Sequence, residues 1–89
     1  ADTAVTRVKI SIFPNPFATQ ITINSNNAID LIGKKIKLYD GTGKIYLAET
    51  LQSQKTTIPL YKMPAGVYFL KIDGLKKPSV FKLVKQSNY

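Results

Sequence analysis

The chain has no cysteine, no histidine and no tryptophan among its 89 residues. Without cysteine it holds neither a disulfide nor a thiolate site, although many exported bacterial domains lack cysteine too, so its compartment stays open. Without histidine it cannot run Ser-His-Asp or Cys-His chemistry, and it forgoes the commonest metal ligand. Acids are scarce as well: Asp2, Asp30, Asp40, Glu49 and Asp73 are the five, and they are scattered. That spacing leaves no dense oxygen cage for calcium and no carboxylate pair of the kind glycosidases use. No metal site, no cofactor and no catalytic residue is expected. No apolar run approaches the roughly 20 residues of a membrane-spanning helix. No secretory signal peptide is visible and the first residue is not Met, so the sequence reads as a piece of a longer protein.

What is present is positive charge and β pattern. Thirteen Lys and Arg against five acids give a formal net charge of +8 and a pI near 9.8. Such a balance favours anionic partners. Nucleic acid is not expected among them, because the aromatics do not interleave with the lysines as a stacking platform would and no binding motif appears. The length suits one domain with one two-layer core and little room for a deep cleft.

Apolar residues alternate with polar ones along most of the chain, the period of half-buried strands. Val8, Ile10 and Ile12 share one face of the first run, which the stretch from Phe13 through Pro14, Asn15 and Pro16 to Phe17 stops, since proline donates no ladder hydrogen bond. Ile21 and Ile23 point inward in the next run, Ile36 and Leu38 in residues 34–39, and Ile45 and Leu47 in residues 44–50. Asp40-Gly41-Thr42-Gly43 is the strongest hairpin signal, with two glycines for positive-φ positions. A Gly-rich loop before Lys44 hints at a phosphate cradle, but the P-loop pattern and its helix are missing. Residues 28–32 fit either a short strand or a helical turn. Short strands follow at 56–60, 67–72 and 80–86. About seven strands with turn signals every eight to twelve residues predict an all-β, antiparallel β-sandwich.

Residues 67–72 differ from the others in being apolar on both faces. Val67 and Phe69 occupy one and Tyr68, Leu70 and Ile72 the other. Residues 80–84 share the tendency, with Phe81 and Leu83 opposite Val80 and Val84. Such a strand lies deep in a sheet or offers a face to a partner. Phe69 is expected in the core, whereas Tyr68 and Leu70 fit either role. Gly66 reads as a turn residue with positive φ. Lys82 and Lys85 read on their own as solvated strand lysines that guard an edge.

Four motifs stand in order: Pro14-Asn15-Pro16; Tyr39-Asp40-Gly41-Thr42-Gly43-Lys44; Met63-Pro64-Ala65-Gly66-Val67-Tyr68-Phe69-Leu70-Lys71; and Lys82-Leu83-Val84-Lys85-Gln86. Together they resemble the C-terminal sorting domain of the bacterial type IX secretion system, type A class, over nearly the whole chain. Met63 stands where the family often has Leu, a volume-conserving exchange. The chain also runs on through Ser87-Asn88-Tyr89, past the point where family members usually end.

The resemblance implies an Ig-like seven-stranded sandwich at the C-terminus of a cargo protein in Bacteroidota. It implies a non-catalytic signal, carried into the periplasm, read by the outer-membrane translocon and removed at the cell surface by a sortase-like protease. The cargo is then released or joined to anionic lipopolysaccharide. The implied organisation is a linker and cleavage region at 1–7 (Ala1, Asp2, Thr3, Ala4, Val5, Thr6 and Arg7), a sorting domain at 8–86 and a tail at 87–89. The implied recognition residues are Pro64, Gly66, Tyr68, Leu70, Lys82, Leu83, Val84, Lys85 and Gln86. The implied structural residues are Pro14, Asn15, Pro16, Asp40, Gly43 and Lys44. Two further readings stay open from the residues alone. One is an Ig-like adhesion or carbohydrate-binding module, with Tyr39, Tyr46, Tyr61 and Tyr68 as candidate aromatics. The other is a basic domain that holds lipopolysaccharide by charge. The apolar C-terminal strands also leave edge-to-edge pairing of two copies open.

Overall fold

The computed structural model describes residues 10–26, 30–75 and 79–87. Seven strands account for the regular structure among them: β1 (Ile10–Phe13), β2 (Gln20–Ser25), β3 (Lys35–Asp40), β4 (Ile45–Thr50), β5 (Lys55–Pro59), β6 (Gly66–Asp73) and β7 (Ser79–Lys85). They form two antiparallel sheets, of order β1-β2-β5 and β4-β3-β6-β7. The chain therefore passes between the sheets after β2, after β4 and after β5. This is an Ig-like sandwich, with the fourth strand paired on the larger sheet beside β3.

The alternating pattern does what its period requires. Ile21 and Ile23 of β2, Ile36 and Leu38 of β3, and Leu70 and Ile72 of β6 meet in one core, joined by Ile58 of β5 and Leu83 of β7. At about 25 cal/mol per Å² of apolar area, each fully buried side chain of this size contributes roughly 2 kcal/mol. Thr22, on the opposite face of β2, lies with its hydroxyl 2.9 Å from that of Thr57, a cross-strand pair on the outside of the smaller sheet.

Three local readings change. Ile45 does not point inward: it is 53% exposed. The β3–β4 register slips between Leu38 and Tyr39, so Leu38 faces Leu47 and Tyr39 faces Ile45, with Tyr46 as the extra residue. A bulge resets the alternation, which sends Tyr46 to the core side and Ile45 to the outer face. Phe69 is half-buried rather than in the core, because β6 turns Tyr68, Leu70 and Ile72 inward and so places Phe69 on the outer face. Gly41 does not have positive φ. The hairpin closes through Gly43 N–H on the Asp40 carbonyl at 3.0 Å and needs only Gly43, at φ 92°, in the left-handed region. Within the ambiguous stretch at 28–32, residues 28 and 29 lie outside the described residues. Leu31 is buried in a turn closed by Lys34 N–H on its carbonyl at 3.0 Å.

Candidate recognition site

The first and last motifs meet. After β1 the chain turns through two cis prolyl bonds, Phe13–Pro14 and Asn15–Pro16, and runs beside the free edge of β7. Asn15 lies between them as a surrogate strand residue. Its Nδ2 donates to the Lys82 carbonyl at 3.0 Å, and its Oδ1 accepts from Val84 N–H at 3.0 Å. An amide is the side chain that can do both at once, since it carries donor and acceptor side by side. Phe17 continues the pairing: its N–H donates to the Val84 carbonyl and its carbonyl accepts from Gln86 N–H, at 2.8 and 2.7 Å. The Phe17 ring is fully buried. The strap thus covers the second half of an edge that would otherwise present unpaired backbone groups. The sequence marked residues 13–17 as a strand stop. Its use as an edge cover depends on a partner more than sixty residues away, and local pattern carries no trace of that.

The third motif is a corner. Gly66 opens β6 at φ 154°, outside the range L side chains readily adopt. Two residues on, the buried Tyr68 hydroxyl donates to the Pro64 carbonyl at 2.5 Å. A tyrosine near the start of this strand that bonds back to the preceding loop is a tyrosine corner of Ig-like sandwiches. Tyr46 meets the Tyr68 ring edge to face, with centroids 5.3 Å apart. Burial raises the Tyr68 pKa, and the nearby Tyr46 and Asp40 add to the shift.

The second motif is a hairpin tip organised by one carboxylate. Asp40 Oδ1 accepts from Thr42 Oγ1 at 2.6 Å, Thr42 N–H at 2.9 Å and Lys44 N–H at 3.1 Å. These bonds, the Thr42 hydroxyl first, hold the Asp40 carboxyl below its ordinary pKa. Lys44 reaches back over the Tyr46 ring, 5.0 Å from its centroid. The arrangement ties the tip shut and commits the Thr42, Gly43 and Lys44 N–H groups to Asp40.

The nine residues expected to take part in recognition separate by exposure. Tyr68, Leu70 and Leu83 are core residues. Lys85, read as a solvated strand lysine, is only 2% exposed. It shares the inward face of β7 with Phe81 and Leu83, bridges in parallel register to Phe17, and donates through Nζ to the Gln86 carbonyl at 2.9 Å. Pro64, Gly66, Lys82 and Gln86 are exposed and Val84 is partly so. The expected cleavage region, Ala1 to Arg7, lies outside the described residues. The four tyrosines form no common platform: Tyr39 lies on the outer face of the larger sheet, Tyr46 and Tyr68 pair on its inner side, and Tyr61 is in the loop after β5.

The fold, the corner and the strapped last strand define a small Ig-like module with structural motifs and no assembled reactive centre among the described residues. Residues 11–86 match the family model described as a secretion system C-terminal sorting domain, and the chain belongs to this family of type IX secretion signals. No curated protein matches it. As a sorting signal of the type IX system, it implies a cargo protein and the secretion machinery as partners, and export to the cell surface or beyond.

Proposed function

We propose that the domain acts as a non-catalytic label that the type IX translocon reads in its folded form, in transit from the periplasm. A sortase-like protease then clips it from its cargo at the surface, within or upstream of residues 1–7. The observation that carries this reading is a coincidence of boundaries. The matched stretch begins inside β1 and ends one residue past β7, so the label and the sandwich are the same object. In the folded domain Tyr68, Leu70, Leu83 and Lys85 are buried, so on this reading they are not themselves the contact surface. Their part in recognition is to hold the corner and the last strand in place. A packed strand denies a protease the extended backbone it needs, so the proposed cut lies outside β1–β7.

The test is a periplasmic fluorescent reporter with this chain at its C-terminus, expressed in a type IX-competent bacterium and in its translocon-deficient twin. The expected result is extracellular reporter in the competent strain alone, with a released fragment whose N-terminus lies no later than Val8. Reporter held in the periplasm of both strains would overturn the reading.

A further inference from the structure

The corner, the hairpin tip and the strap make no use of the outer face of the four-stranded sheet. The register assigns its composition. Ile45, Tyr39, Phe69 and Lys82 lie abreast across β4, β3, β6 and β7, and the Val67–Val84 pair lies beside them. Tyr39 and Phe69 stack with centroids 5.8 Å apart. Val67 is 44% exposed and Ile45 53%, so the stripe is open to solvent. This is the second apolar face of β6 that the sequence displayed, and the core does not use it.

The charges on that face have one sign. Lys35 and Lys37 of β3 and Lys71 of β6 flank the stripe on one side, and Lys82 stands at its β7 end. Among the described residues of the face the one acid is Asp73, and Lys71 engages it at 3.7 Å. Glu49 pairs with Ile36, in register with the opposite face. The face thus joins a solvent-open aromatic and aliphatic stripe to a lysine patch on the two middle strands, where Lys37 lies opposite Lys71, and exposed aromatics beside charge are common in protein–protein interfaces. A surface that bound anionic glycolipid by charge alone would have no use for the open stripe beside the lysines.

We propose that this face is the docking surface of the label, and that its occupant is an acidic protein surface of the export machinery with an apolar patch at its centre. The inference rests on the sorting reading above and gives it a place and a chemistry. The Phe69 ring and its stack with Tyr39 supply the anchor. Lys37 and Lys71 supply orientation, since charges beside an apolar patch steer encounter and exclude like-charged partners.

The export assay tests it with four variants of the fused chain. Phe69→Thr removes the anchor. Lys37→Glu with Lys71→Glu reverses the charge beside the stripe, and Lys37→Arg with Lys71→Arg keeps its sign. Lys55→Glu with Lys62→Glu makes the same change of net charge away from the face. Thermal unfolding of each 89-residue chain separates docking from folding, and the lysine pair carries the test even where Phe69→Thr loses stability. We expect export to fall about tenfold or more for Phe69→Thr and the Glu pair, the loss typical of interface anchors. The Arg pair and the Lys55/Lys62 pair are expected to export as the parent does. Parental export by both face variants overturns the proposal, and so does equal damage from the Lys55/Lys62 pair. Normal export by the Glu pair with lost binding to vesicles of anionic lipopolysaccharide reassigns the face to a lipid surface. Failure of the sorting reading looks different, because the unaltered chain then stays in the periplasm.

Discussion

At the scale of single residues, Asn15 does the most for its size. It lies on the surface, yet it fills a gap in the edge pairing of β7 with a donor and an acceptor at once. Replacement by Asp isolates that double role. A carboxylate still accepts from Val84 N–H, but it cannot donate to the Lys82 carbonyl and sets negative charge against it. Asn15→Asp is expected to destabilise the domain by about 1–2 kcal/mol. For a chain of this length that lowers the melting temperature by about 4–8 °C per kcal/mol. A melting temperature equal to the parent's would mean that the strap holds through Phe17 alone. Asn15 was legible as a motif residue but not as a clamp. Lys85 failed for the same reason. It reads as a solvated lysine, because a lysine at a strand end carries no local mark of burial, and the structure turns it to the inward face with Phe81 and Leu83. The backbone that bridges to it arrives from residue 17.

At the scale of elements, the strand count and the central core pairs were readable because they depend on period alone. Ile21, Ile23, Ile36 and Leu38 follow strict alternation on strands without irregularity, and each is buried. The pattern broke where the backbone breaks it. One extra residue in β4 moves Tyr46 to the core side and Ile45 to solvent, and an apolar Ile45 next to a tyrosine conceals the exchange. The two side chains therefore carry opposite expectations. Ile45→Ala changes stability by no more than about 0.5 kcal/mol, as for an open surface position. Tyr46→Ala costs at least about 1 kcal/mol, since it removes the edge-to-face contact with Tyr68. Chemical denaturation followed by far-UV circular dichroism ranks the pair. The reverse order would mean that β4 keeps regular alternation through the hairpin. The two-sided β6 was read correctly as a pattern and assigned to the wrong side at Phe69. Periodicity says that two faces are apolar, but the order of the sheets decides which of them becomes the core.

At the scale of the whole molecule, the signal cannot be separated from the fold by cutting. The final segment, from Lys82 onward, contributes Leu83 to the core, receives the Asn15 and Phe17 strap, and pairs with β6 from Gly66 to Phe69. A domain of this size has a total stability of order 5–15 kcal/mol, and truncation of one large core side chain takes about 2–5 of it. Loss of Leu83, the strap and half a strand together exceeds that margin. Deletion of residues 82–89 is thus expected to abolish the cooperative thermal transition as well as export, and export alone would misreport a folding defect as a lost recognition sequence. Lys82→Glu makes the needed comparison. Its side chain is exposed, and the Asn15 bond uses only the Lys82 backbone carbonyl, so the fold and its melting temperature should stay within about 0.5 kcal/mol of the parent. If the label is read from a folded surface, Lys82→Glu lowers export with the transition intact, whereas the deletion loses both. A deletion that melts cooperatively and still fails in export would instead place the signal in the linear sequence of the last strand.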